Sequence, residues 1–290
     1  MQSKKKRDIL TTVFFGVLFL VGFSVMLYPT FSNWWNQNMA SHTISDYKET
    51  VAKIDTAEYE RMLEEAHAYN EKLAQLYTPF TNFDTISGYD DLLDISGSGV
   101  MGYVSIPNIN VELPIYHGTS DGVLQIASGH IQGSSLPVGG ASTHAVISGH
   151  RGLPSARLFT DLDQIVEGDT FTINVLNEVL TYEVEQILII LPTETDNLAI
   201  FPGEDIVTLM TCTPYGVNSH RLLIRGHRIE TIYDKKIKVG ADALQVDSMK
   251  VIPAVFVPLL LLLILYWRIT GKRRKHIHIN GDTIHNLPKR

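Results

Sequence analysis

Residues 205–225 read DIVTLMTCTPYGVNSHRLLIR, a pattern typical of two β-strands joined by a short loop. The first run ends at Cys212, and the turn-forming residues Pro, Gly and Asn follow it. If the two strands pair in antiparallel fashion, Cys212 and Arg221 lie opposite each other at the mouth of the loop. A cation beside a thiol favours the nucleophilic thiolate, and the same guanidinium could instead hold an oxyanion. Arg225, further along the same strand face, is the competing candidate for either role.

The same β pattern continues outward from this hairpin, through the chain from Gly102 onward. Short runs rich in β-branched and aromatic residues recur between Gly, Pro and Asn: YVSI, VELPIY, HAVIS, TFTINV, TYEVEQILII, DIVTLMTC and HRLLIRG. Residues 170–175 and 180–185 alternate between polar and apolar around an Asn-Glu turn, as half-buried strands do. Seven or eight short strands predict a mainly β domain over residues 100–232, either a closed barrel or a sandwich.

Two uncharged apolar runs flank this middle region. The first, Ile9–Pro29, spans a bilayer core of about 30 Å at roughly 1.5 Å per residue. It is long for a signal peptide and no small-residue cleavage site follows it cleanly, so we predict an uncleaved transmembrane anchor at residues 9–30. The second run, Val251–Trp267, ends in aromatic residues followed by basic ones. It predicts a second transmembrane helix at residues 251–268.

The charge pattern sets the expected orientation in the membrane. The net charge of −7 divides into +3 for residues 1–8, +6 for residues 268–290 and −16 for the stretch between them. Because basic flanks mark the cytoplasmic side, we predict cytoplasmic basic tails at 1–8 and 269–290, with a linker at 233–250 leading to the second span. The acidic middle is then extracellular. It argues against nucleic acid as a partner, and it serves either solubility or the choice of basic partners.

Residues 31–99 are expected to form an extracellular helix and a lid segment. After a polar stretch at Ser32–Asp55, Asp55 and the Glu three residues later resemble a capping box. Apolar residues then recur at helical spacing, which predicts an amphipathic helix of five or six turns: Met62, Ala66, Tyr69, Leu73 and Leu76. Thr78–Gly99 reads as a polar loop that is long for a bare connection, and long loops of this kind are often functional.

Cys212 is the chain's one cysteine, so an extracellular domain built from this sequence has no internal disulfide. Its thiol is reactive, paired with another molecule, or buried as a structural residue. A nucleophilic cysteine needs a proton carrier, usually a histidine. Six histidines follow residue 110 in this domain: His117, His130, His144, His150, His220 and His227. His150 follows a β run and precedes a Gly-Pro loop, where catalytic groups concentrate, whereas His144 lies deeper on the same face.

Metal binding is the rival use of Cys and His residues. The sequence contains no CxxC or HExxH spacing, which argues against a zinc site. It also contains no GxSxG motif, phosphate-binding glycine loop or dinucleotide fingerprint. The residue patterns therefore favour chemistry at the cysteine itself.

Several motifs in this region resemble those of the sortase family. The segment TLMTC at 208–212, followed by Arg221, is similar to the sortase signature TLxTC and its arginine, and SGHRGLP at 148–154 resembles the catalytic histidine segment. Four stretches of the sequence resemble those of class C, pilin-polymerising sortases: GHIQGSSLPVGG at 129–140, LFTDL at 158–162, TCTPYGVN at 211–218 and HRL at 220–222. The resemblance covers roughly residues 45–232, and two membrane spans also fit that class.

The resemblance implies an eight-stranded sortase β-barrel held outside the cell membrane of a Gram-positive bacterium. It implies that Cys212 attacks the Thr–Gly carbonyl of an LPXTG-type sorting signal and forms a thioester. His150 would protonate the departing amine and later accept a proton from the incoming one, while Arg221 would stabilise the oxyanion or orient the substrate. The expected partners are LPXTG-bearing pilin subunits, whose lysine amine is the acceptor, and the lipid membrane. No metal or organic cofactor is expected.

The sequence departs from the class C pattern at the lid. Class C sortases usually carry an Asp-Pro-aromatic motif there, and the best match in this chain is Thr78-Pro79-Phe80. Thr78 cannot make a charge contact with Arg221, but Phe80 could still cover the thiol. We expect this segment to control access to Cys212, and the alternative is a plain linker.

Three other functions compete with pilin polymerisation. The same chemistry with a different amine would anchor proteins to peptidoglycan, and the same thioester attacked by water would make a hydrolytic cysteine peptidase. The chain could instead be a sortase substrate, which would carry LPXTG just before its last hydrophobic run. Residues 243–250 read ALQVDSMK, without that motif, so the substrate interpretation is a poor one.

Overall fold

The computed structural model describes residues 2–231, with side chains from residue 10 onward. The predicted linker at 233–250, the second span at 251–268 and the tail at 269–290 lie outside the described residues. Within residues 2–231, four α-helices precede or interrupt the sheet: α1 (Gln2–Val51), α2 (Thr56–Ala74), α3 (Pro79–Asn82) and α4 (Asp121–Leu124). The strands are β1 (Val100–Ile106), β2 (Val111–His117), β3 (Ser128–His130), β4 (Thr143–Ser148), β5 (Thr170–Val175), β6 (Glu178–Ile190), β7 (Asp205–Thr213) and β8 (His220–Ile229).

The eight strands form one closed barrel in the order β1-β2-β3-β4-β7-β8-β6-β5. The pairs β2/β3 and β4/β7 are parallel, and the other pairs are antiparallel. The prediction of a mainly β, eight-stranded barrel is confirmed. The seven runs quoted above correspond to strands, and β3 is the strand that none of them covers. β3 has three residues, too few to show an alternating pattern.

Helix α1 is apolar and exposed in its first half, but its second half packs on the barrel. Within the described residues, one helix is long and apolar enough to cross a membrane, and it is this one, from residue 10 onward. The predicted polar stretch Ser32–Asp55 is mostly a continuation of α1. Its buried side chains recur every three or four residues and face the barrel: Ala40, Ile44, Tyr47 and Val51. Polar residues occupy the other faces, which conceals this stripe in the sequence.

Helix α2 covers another part of the barrel, as its amphipathic pattern predicts. Asp55 is the N-cap, and its carboxylate accepts a hydrogen bond from the Glu58 backbone N–H at 2.8 Å. The Glu58 carboxylate pairs with Arg61 on the helix surface rather than reaching back to the cap. The apolar stripe joins the barrel core: Met62, Ala66, Tyr69 and Leu73 are buried, together with Asn70.

The loop predicted at Thr78–Gly99 contains α3 and two short 3₁₀ turns, Phe83–Thr85 and Tyr89–Asp91. Tyr89 is buried, and its hydroxyl lies 2.8 Å from Nδ1 of His130 in β3. Burial raises the pKa of Tyr89 well above its ordinary value, so the hydroxyl stays protonated and can donate. This contact fixes the end of the segment to the barrel.

Candidate active site

Three strand ends bring Cys212, His150 and Arg221 to the same level of the barrel. Strands β7 and β8 pair so that Cys212 lies directly opposite Arg221, as the hairpin pattern predicts. On the other side of β7, strand β4 runs parallel, with Ser148 opposite Met210. His150 and Cys212 each lie two residues beyond that pair, so the parallel register brings them level. Cys212 is half-buried in this position.

A threonine that the sequence interpretation left without a role connects the cysteine strand to the histidine loop. The Thr211 hydroxyl donates to the backbone carbonyl of Gly149 at 2.8 Å, and the Gly149 N–H donates to the carbonyl of Met210 at 3.1 Å. These two bonds join the residue before Cys212 to the residue before His150. The available signal was parity, because Thr211 alternates with Cys212 and therefore faces the barrel interior.

Gly149 is required at this junction because of its close packing. A Cβ at this position would lie 2.6 Å from the ring of the fully buried Phe159. The backbone of the same loop closes on itself, since the Phe159 N–H donates to the carbonyl of His150 at 3.1 Å. The loop that carries His150 is therefore held from both sides.

Two arginines shape the surroundings of the cysteine. The Arg221 guanidinium donates to the backbone carbonyls of Asn218 and His220, so it is oriented by the loop between β7 and β8. Arg151, next to His150, forms an ion pair with Asp163 and lies over the ring of Tyr215, 5.9 Å from its centroid. Its side chain is almost entirely buried between these partners. Arg151 thus links the histidine loop to the loop after Cys212.

Arg225, the competing arginine, lies further from the strand ends that carry Cys212 and Arg221. Its Nε donates to Glu185 at 2.8 Å, and its guanidinium lies over the ring of Phe201. It pairs with Thr208 across the strands, four residues before Cys212. Arg225 is therefore paired and distant from the level at which Cys212 and Arg221 meet.

The histidines differ in how completely their rings are engaged. His144 is fully buried, its Nδ1–H donates to the carbonyl of Ala199 at 2.8 Å, and the Thr208 hydroxyl lies 2.7 Å from Nε2. Burial lowers the pKa of His144 to about 4. His130 is also buried, with a pKa lowered to about 4 for the same reason. His150 is half-buried, and among residues 10–231 its ring has no hydrogen-bond partner.

The other three histidines are engaged elsewhere. The ring nitrogens of His117 lie within 3.0 Å of the carbonyls of Gly99 and Leu92, which ties the end of the loop after α2 to β2. His220 contacts the Ser219 hydroxyl at 2.9 Å, and His227 lies 3.3 Å from the carboxylate of Glu185.

The predicted lid residues lie on the outer face of the barrel, close to this level. Phe80 packs against an apolar cluster on that face, made of Val146, Ile190, Leu198 and Leu223, with Met210 beside it. The cross-strand pair Met210–Leu223 is the one that precedes Cys212–Arg221 on the same face. Thr78 precedes the short helix α3, and its hydroxyl accepts a hydrogen bond from Asn82 at 2.6 Å.

Gly133 lets the predicted lid residues approach the barrel backbone closely. Its φ is +95°, and a Cβ there would lie 2.9 Å from Cα of Phe80 and 3.0 Å from the carbonyl oxygen of Pro79. Only a residue without a side chain lets the two backbones approach this closely.

The protein is thus a closed β-barrel whose candidate active site is built around a cysteine. No group of His, Cys, Asp and Glu among the described residues could hold a metal ion. A family model for the sortase domain matches residues 104–229.

This chain matches solved structures of C-type sortases over nearly the whole length of those structures. Sortase C1 from Streptococcus agalactiae is 45% identical with a TM-score of 0.60, and the match covers 66% of this chain and 100% of that one. Sortase C from Streptococcus pneumoniae is 44% identical with a TM-score of 0.60, and the match covers 67% and 100% of the two chains. A lid mutant of the Streptococcus agalactiae enzyme is 45% identical, with a TM-score of 0.61 and coverage of 66% and 99%.

Curated relatives are more distant and are matched only in part. Sortase A from Streptococcus agalactiae is 29% identical over 117 residues, which is 39% of this chain and 47% of that protein. Sortase D from Bacillus subtilis is 29% identical over 131 residues, which is 44% of this chain and 63% of that protein. The chain thus spans less than two thirds of the length of these curated relatives. On the full-length structural matches, the chain belongs to the sortase family, a family of cysteine transpeptidases.

Proposed function

We propose that this chain is an extracellular, membrane-anchored transpeptidase that joins pilin subunits. It would cleave an LPXTG-type sorting signal through a thioester and pass the acyl group to a lysine amine of the next subunit. The observation that carries the proposal is the shared level of Cys212, His150 and Arg221 at the ends of β7, β4 and β8. The 44–45% identity to C-type sortases supports the choice of acceptor, because the Streptococcus pneumoniae sortase C has a pilin substrate specificity.

In the first half of the proposed reaction, the Cys212 thiolate attacks the carbonyl carbon between Thr and Gly of the signal. The C–N bond breaks, His150 gives its proton to the departing glycine amine, and the acyl group remains on sulfur as a thioester. Arg221, opposite Cys212, stabilises the negative charge on the carbonyl oxygen. In the second half, His150 takes a proton from the attacking lysine amine, an amide forms and the thiolate leaves.

His150 suits the role of proton carrier better than His144. A catalytic acid needs a pKa near the working pH and a free ring nitrogen within reach of the substrate. His144 meets neither requirement, because it is buried, its pKa is lowered to about 4, and both ring nitrogens are engaged. His150 is half-buried at the strand end, level with Cys212.

Thr78, Pro79 and Phe80 form the proposed lid. Phe80 packs against the apolar cluster that includes Leu223, whose partner Met210 precedes Cys212 on the same face of β7. The close approach to Gly133 and the packing of Phe80 hold the proposed lid in place, so the lid needs no charged side chain at Thr78. The lid mutant of a 45% identical sortase C1 indicates that this relative also has such a segment.

Peptidoglycan anchoring is the second candidate function. The matches to proteins called sortase A, at 26–29% identity, favour it to a smaller degree than the C-type matches favour pilin joining. The two functions share the thioester and differ in the amine that resolves it.

A trapping experiment tests the proposal. Wild-type protein incubated with an LPXTG-type peptide should gain the mass of the acyl group, and Cys212→Ala should not. Adding either a pilin subunit or a peptidoglycan peptide then decides the acceptor, since the proposed function expects covalent pilin ladders. A thioester on the Cys212→Ala protein would refute the assignment of the nucleophile.

A further inference from the structure

Helix α1 is attached to both ends of the barrel, and its two ends can be told apart by strand register. Near its C-terminal end, the Tyr47 hydroxyl donates to the carbonyl of Met101 at 3.0 Å and accepts from the N–H of Leu176 at 2.7 Å. Leu176 lies in the turn between β5 and β6. Strand β6 runs from that turn to Ile190, which pairs with Arg221. Tyr47 therefore marks the end of the barrel that is remote from Cys212.

The contacts nearer the N-terminus of α1 lie at the opposite end of the barrel. Asn36 Nδ2 donates to the carbonyl of Ser155, and Asn33 Oδ1 accepts from the backbone N–H of Arg157, both at 2.8 Å. Ser155 and Arg157 belong to the loop that begins at His150 and closes on it through Phe159. The apolar half of α1 is therefore nearer to the barrel end that carries Cys212, and its C-terminal end is nearer to the remote end.

These contacts lie within about two helical turns of the apolar run. The uncharged run ends at Pro29, and Asn33 is four residues later, about 6 Å along the helix axis. Aromatic residues at membrane–water interfaces typically mark the headgroup level. This part of α1 carries four exposed ones: Tyr28, Phe31, Trp34 and Trp35.

The barrel end that carries Cys212 also has a rim with exposed apolar side chains. We define the rim as residues 152–156, 187–193 and 213–220, which contain no Asp, Glu, Lys or Arg. The surrounding region 31–231 holds 26 acidic against 9 basic residues. Side chains on the rim are exposed although apolar, with Tyr215 at 61% and Val217 at 71%, and Ile189 and Leu191 are exposed as well.

We propose that this rim rests on the outer surface of the same membrane that α1 crosses. A strongly acidic surface is repelled by anionic lipid, whereas an uncharged rim with exposed aromatic and aliphatic side chains is suited to the interface. Asn33 and Asn36 hold the rim at headgroup level by fixing the loop of residues 150–159 to the end of the span. This consequence rests on the proposed function: Cys212 is held close to the membrane surface, where it meets peptide segments that leave the bilayer.

Depth measurements on the full chain test the proposal. In the Cys212→Ala background, Val217→Cys places one fluorophore on the rim and Asn177→Cys places one at the remote end, in the β5–β6 turn. Each labelled protein is reconstituted into vesicles of phosphatidylcholine and phosphatidylglycerol with a headgroup-attached spin-label quencher. We expect quenching at least about three-fold stronger at position 217 than at 177. Equal quenching, or stronger quenching at 177, would overturn the proposal.

A second set of variants tests the role of the two asparagines. Asn33→Ala with Asn36→Ala should lower quenching at position 217 towards the value at 177. The matched control is Gln37→Ala with Asn38→Ala, two exposed positions on the same helix, which should change nothing. Unchanged quenching at position 217 in the Asn33→Ala, Asn36→Ala variant would show that the two asparagines do not hold the rim at the membrane. Quenching needs no catalysis, so failure of the transpeptidase assignment would appear in the trapping experiment and leave these results intact.

Discussion

The strand ends around Cys212 and the lid segment around Phe80 are neighbours held by different kinds of contact. The strand ends are joined by backbone register and by the hydrogen bonds between Thr211, Gly149 and Met210. Phe80 is held by apolar packing and a close approach to Gly133. Hydrogen bonds fix a geometry within narrow limits, whereas apolar packing tolerates sliding and release. The difference suits the proposed roles, in which the strand ends keep the geometry of the site and Thr78–Phe80 form a lid that opens.

The largest expected effect comes from the histidine at the strand end. His150→Ala should lower the rate of acyl transfer to a lysine acceptor by about 10²–10⁴-fold, because it removes the proposed proton carrier. His144→Ala should reduce the thermal stability of the protein, since it leaves Thr208 and the carbonyl of Ala199 without their buried partner. Steady-state rates and melting curves of both variants separate the two roles. The reverse order of rates would refute the choice of His150.

The next effect concerns the bond that joins the two strand ends. Thr211→Val keeps the shape of the side chain and removes the hydroxyl, which leaves the carbonyl of Gly149 buried without that donor. We expect a loss of about 1–3 kcal/mol in the free energy of unfolding, measured by denaturant titration. We also expect kcat to fall about ten-fold while KM changes little, because His150 is no longer aligned with Cys212.

Thr213→Val is the matched control for this prediction. Thr213 is buried on the same strand, and within residues 10–231 its hydroxyl makes no hydrogen bond. The control should unfold and react almost as the wild type does. If the two variants behave alike, the Thr211–Gly149 bond does not hold the site together.

The smallest expected effect concerns the proposed lid. Phe80→Ala should speed alkylation of the chain's one cysteine by iodoacetamide a few-fold, because it removes a ring from the apolar cluster that adjoins the Cys212–Arg221 pair. Phe83→Ala, a ring on the same segment, should leave the rate unchanged. Intact-mass spectrometry follows both reactions with one label per chain. Equal rates in all three proteins would make Thr78–Phe80 a linker rather than a lid.

The sequence alone predicted the features that depend on neighbouring residues. The facing positions of Cys212 and Arg221 follow from two strands and a short loop, and Asp55 caps α2 as its motif predicts. The apolar run before Pro29 and the number of strands also follow from local patterns. Each of these is set by periodicity or turn residues within about twenty positions of chain.

Tertiary structure decided what distant segments do to one another. Six histidines were available, and the parallel pairing of β4 with β7, some 60 residues apart, brings His150 level with Cys212 while it buries His144. The same pairing provides Thr211 with its acceptor. The second half of α1 becomes a packed helix only because the barrel offers a surface for its narrow apolar stripe. Such contacts depend on register between strands and on burial, which no local pattern encodes.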